Sequence, residues 1–179
     1  MAIANITLDR PRLVQVALPL AIGLLGCLLP YLTITSLNAQ IEQVTVTQRL
    51  WGSAALARTL DPTDMPSFYT GADPNALGQW LNVFSIALTL QQVGLVVALV
   101  TLVALLMDEI NKLFFWPLHL AGWVLVLATI LLWLGAVRLG RLGVELSLGL
   151  GWVPLLVAGA LILVFTFRAR TRIDTYGGV

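Results

Sequence analysis

Four long apolar runs alternate with short polar segments along the chain, at about 13–34, 83–107, 117–137 and 146–167. Each holds roughly 20 residues or more, and at about 1.5 Å per residue that length matches a hydrocarbon core of about 30 Å. Charge gathers at the ends of the runs. Asp9, Arg10 and Arg12 precede the first run, Asp108, Glu109 and Lys112 separate the second from the third, Arg138, Arg141 and Glu145 separate the third from the fourth, and Arg168, Arg170 and Arg172 follow the fourth. The pattern predicts an all-α membrane protein, a four-transmembrane-helix bundle running up-down-up-down as one membrane domain over 1–179. Pro19 and Pro30 remove backbone donors in the first run and predict a bend. Pro117 reads as a first-turn proline, where a missing N–H costs nothing.

One long segment, 35–82, connects the first two runs. Within it Ile41, Val44 and Val46 alternate with Glu42, Thr45 and Thr47, a period-two pattern that suits a strand. The loop is therefore expected to be able to hold a short β-hairpin. Leu50 to Arg58 reads as a short interfacial helix or turn, and Pro62, Pro66, Gly71, Pro74 and Gly78 punctuate the remainder. Six of the ten Lys and Arg residues fall on the side of the termini and the 108–116 connection, which places both termini in the cytoplasm and the long loop outside. Tyr31, Trp80, Trp133 and Trp152 then mark the outer interface, with Phe114, Phe115, Trp116, Phe165 and Phe167 at the inner one.

The layout, four runs with a long and partly strand-like first outer loop containing Leu50-Trp51-Gly52, is similar to that of claudin-type proteins. That resemblance implies an outer contact surface. The paired loop cysteines of that family are absent, and no residue role is carried over.

Composition narrows the function classes. The chain is 59% hydrophobic and 11% charged, against about 25% charged residues in a soluble domain. A net charge of +1 with no run of Lys or Arg excludes a nucleic-acid footprint. Leu24-Leu25-Gly26-Cys27 imitates a lipoprotein signal, but the apolar run continues beyond Cys27 and is read as a span. The single cysteine cannot form an internal disulfide. No nucleophile lies beside a histidine and an acid in a familiar arrangement, and no phosphate-cradling glycine loop occurs, so no enzyme is expected.

The candidate chemistry is sparse. Asn82, Ser85, Thr89 and Gln92 recur at steps of three and four on one face of the second run, with Gln92 expected near mid-membrane. That face serves either as interhelical polar glue or as a ligand-facing wall. Gln91 points elsewhere. His119 is the sole histidine and the one group able to ligate a haem or chlorophyll metal; its ordinary reading is an interfacial histidine bonded to water, a headgroup or a carbonyl. Trp51, Phe68, Tyr69 and Trp80 are the aromatic anchors of a partner-binding loop. No cofactor and no metal are expected, whereas bound lipid is. The expected role is an accessory or scaffold subunit of a larger membrane complex in a bacterial plasma membrane, its partners being other integral membrane subunits. The alternatives are a small transport or ligand-binding protein using the polar face, and a claudin-like contact protein.

Overall fold

A computed structural model describes residues 10–37, 42–107 and 112–176. The charged turn at 108–111 and the segment 38–41 lie outside the described residues.

The chain is mostly helical, with one small sheet. Helix α1 spans Arg10–Leu28, strand β1 Leu32–Leu37, strand β2 Gln43–Gln48 and helix α2 Leu50–Thr59. A 3₁₀ turn at Pro62–Asp64 and a one-turn helix α3, Pro66–Tyr69, lead into α4, Pro74–Met107. Helix α5 spans Lys112–Arg141, strand β3 Leu146–Leu148 and helix α6 Trp152–Tyr176. Among the described residues α4 and α5 are long and apolar enough to cross a membrane, over Pro74–Ala104 and Trp116–Arg141. The apolar stretches of α1 and α6, Ala17–Leu28 and Trp152–Arg168, are shorter.

Several limits expected from the sequence move. Helix α1 stops at Leu28 rather than continuing to 34, because Pro30 cannot extend an α-helical ladder and biases its predecessor toward extended backbone. Leu32 and Ile34, expected within the first span, turn into the core from β1 and are fully buried. Leu146–Leu148, expected to open the fourth span, instead forms β3. Helix α4 begins at Pro74, well before the expected 83, so the outer loop is shorter and more structured than its composition suggested. Pro117 is the sixth residue of α5, a turn inside the expected position, where it denies a donor to the preceding turn.

The sheet has the order β2-β1-β3, both pairs antiparallel. Leu32 lies opposite Gln48 on one side and Leu148 on the other, and Thr33 lies between Thr47 and Ser147. One face presents Leu32 and Ile34 to the core. The other carries hydroxyls, with Thr33 to Thr47 at 3.0 Å and Thr35 to Thr45 at 3.1 Å.

The long helices pack in the order α4, α5, α6, α1, with a smaller contact closing α1 against α4. Small residues set the spacing. A Cβ on Gly26 would lie 3.0 Å from the Gly151 carbonyl oxygen, and one on Gly159 3.2 Å from that of Gly122, so both helix pairs approach backbone to backbone. Where β1 meets β3, Gly149 and Gly151 donate their N–H groups to the Tyr31 and Pro30 carbonyls, each at 3.0 Å, and a Cβ on Gly149 would sit only 2.3 Å from Pro30 O. Beneath α2 and the sheet, Tyr31, Leu50, Met65, Leu77, Phe84 and Leu88 are fully buried, giving the sheet end of the molecule its own packed core.

Candidate functional site

Two polar side chains of α4, Thr89 and Gln92, bond to α2, the first helix of the loop. Gln92 donates from Nε2 to the carbonyls of Leu50 at 3.0 Å and Trp51 at 3.2 Å. Thr89 accepts from Arg58 Nη2 at 2.9 Å while donating to the Ser85 carbonyl at 2.9 Å. The shared face of Asn82, Ser85, Thr89 and Gln92 is thus a track along which α2 lies, held at its start by Gln92 and near its end by Thr89. Gln92 lies near the middle of α4, level with the first turn of α2.

Its neighbour Gln91 is fully buried and faces inward. It accepts a hydrogen bond from the Tyr31 hydroxyl and donates to Thr129 Oγ1 at 2.8 Å, and the Thr129 hydroxyl donates to the Leu125 carbonyl at 2.7 Å. This chain ties the end of α1 to the middles of α4 and α5. Every member is satisfied, the condition under which a buried polar network rigidifies a core. Sequence reasoning set Gln91 apart from the polar face as pointing elsewhere, toward a possible second partner, and it missed Thr129, a lone threonine in an apolar run.

Next to Arg58 a pocket of about 240 Å³ opens between the end of α2, the 3₁₀ turn and α4. Its polar edge is Arg58, Asn82 and Ser85; Leu60, Pro62 and Leu81 line the rest. Neither acid of the turn faces Arg58. Asp61 accepts from the Thr63 N–H at 2.9 Å and from its hydroxyl at 2.7 Å, which holds the carboxyl below its usual range, and Asp64 accepts from the Asp61 N–H at 3.0 Å.

Compared with known families, curated proteins and solved structures, the chain matches no family model, no protein and no structure. The reading therefore rests on geometry alone.

His119 is hydrogen-bonded through both ring nitrogens. Thr166 donates to the Leu163 carbonyl at 3.0 Å, so its oxygen accepts from His119 Nδ1 at 2.8 Å, and the Trp123 indole N–H donates to Nε2 at 3.2 Å. Both ring nitrogens are engaged in the neutral Nδ1–H tautomer that this network assigns. Trp116 and Trp123 stand edge-on to the ring at 6.4 Å. A metal on Nε2 would first have to displace Trp123.

The four loop aromatics divide. Trp51 and Tyr69 are exposed, whereas Phe68 and Trp80 pack on the core. Trp80 is further held by Arg138, whose guanidinium lies 5.5 Å from the ring centroid.

Proposed function

We propose that the chain is a four-span protein of a bacterial plasma membrane, with both termini cytoplasmic, that serves as an accessory or scaffold subunit of a larger membrane complex. The observation that carries this reading is that all four long helices expose apolar side chains outward. Leu24 and Leu25 do so on α1, Val93 and Val100 on α4, Leu120 and Leu127 on α5, and Val157 and Val164 on α6. So continuous an apolar coat suits lipid or partner helices, not water. On this reading α1 and α6 cross despite their shorter apolar stretches, and the first two turns of α4, before Asn82, stand clear of the bilayer.

A scaffold role is supported by where the polar groups go. Gln91, Gln92, Thr89 and His119 each bond within the chain, so the interior is organised for rigidity. Trp51 and Tyr69 are left outward as large anchors of the kind that dominate interfaces. Partner capture by those two rings is tested by purifying the complex in mild detergent and identifying what co-migrates. Trp51→Ala or Tyr69→Ala should release the partners while the helices stay inserted. A chain that is monodisperse alone and transports a solute in liposomes would refute the scaffold role. A ligand-binding role is the second reading, favoured by the pocket at Arg58, Asn82 and Ser85.

A further inference from the structure

We propose that the pocket between α2 and α4 is a binding site for the headgroup of an anionic phospholipid, with Arg58 as its charged contact and the outward face of α4 as the seat of an acyl chain. The proposal rests on the membrane-embedded reading above. At about 100° per residue, Asn82, Ile86, Val93, Val97 and Val100 fall within about 60° of one another on α4. Asn82 is on the polar edge of the pocket, and the other four are exposed apolar residues. From Ile86 to Val97 the rise is about 16 Å, close to half of a hydrocarbon core of about 30 Å. A polar cup therefore sits directly above an apolar stripe one leaflet long.

The cup has the chemistry of a phosphate diester. Arg58 presents a guanidinium whose fork matches phosphate oxygens. Its side-chain hydrogen bond to Thr89 uses Nη2 and fixes the head beside the pocket. Asn82 and Ser85 add an amide and a hydroxyl at the same rim, fit for a glycerol or phosphate oxygen. The turn acids are held by Thr63 and by the Asp61 N–H, so the cation lies open to an external anion.

The test uses the full chain in nanodiscs of mixed phosphatidylglycerol and phosphatidylcholine with matched acyl chains, extracted gently and read by native mass spectrometry. Retained phosphatidylglycerol should exceed phosphatidylcholine by about tenfold. Arg58→Gln should abolish that preference, about the effect of losing one charge-assisted hydrogen bond, and Arg58→Lys should lose it in part. Arg49→Gln, which removes an equal charge from the same loop, should leave it intact. Equal losses in the Arg49 and Arg58 variants would reduce the effect to general surface charge and overturn the site, as would an unchanged preference in Arg58→Gln. Displacement of the lipid by soluble glycerol 3-phosphate would make this a free-anion site and overturn the lipid assignment. Extraction of the chain by alkaline carbonate would refute the embedded reading itself, whereas a chain that resists extraction yet shows no preference refutes the headgroup site alone.

Discussion

At the scale of single residues, the adjacent glutamines of α4 have different roles. Gln91→Leu strands the buried Tyr31 hydroxyl without its acceptor, and an unsatisfied buried polar group costs about 1–3 kcal/mol. Gln92→Leu frees two α2 carbonyls at a partly exposed position and should cost about 1 kcal/mol or less. Thermal melts in detergent rank the two; a larger loss for Gln92 would contradict the buried network. Ser67 offers the reverse case, because its hydroxyl is buried with no partner among the described residues. Ser67→Ala should therefore stabilise the fold by about 1 kcal/mol in the same melt.

At the scale of elements, the turn before α3 depends on one carboxylate. Asp61 caps Pro62–Asp64 by accepting from Thr63, and those bonds favour its charged form and lower its pKa. A carboxyl depressed on folding contributes above its unfolded pKa, near 3.9, and loses that contribution as pH falls through the folded value. Protection of the Thr63 and Asp64 amides, referenced to the intrinsic exchange rate at each pH, should fall in that acid range, and Asp61→Ala should show the lower protection at neutral pH already. Legibility differed by element for a physical reason. The helical runs announced themselves by length and apolarity, whereas Leu32-Thr33-Ile34 and Leu146-Ser147-Leu148 are short apolar pieces that periodicity cannot assign to strand or helix. The face formed by Asn82, Ser85, Thr89 and Gln92 was visible from spacing. What it faces was not, because α2 reaches it through tertiary packing, and nothing in the spacing of α4 names Leu50, Trp51 or Arg58 as partners.

At the scale of the whole molecule, the proposed four-span arrangement makes a side-specific forecast. In a Cys27→Ala background, Thr63→Cys and Thr171→Cys should react with an impermeant thiol reagent from opposite sides of the membrane. Labelling of both from one side would defeat the arrangement. The α1–α6 contact should be equally sensitive: Gly149→Ala drives a methyl into the Pro30 carbonyl, and because backbone must move to relieve it, a loss of about 1–3 kcal/mol is expected in detergent melts.

The position of β3 also sets a timetable. Strand β1 is followed in the chain by its partner β2, but its other edge can be paired only once Leu146–Leu148 has left the ribosome behind two long helices. An unpaired strand edge is a template for the wrong neighbour. A nascent chain arrested after Arg141 should thus be cleared by proteases or drawn into aggregates faster than one arrested after α6, a difference that pulse-chase would record.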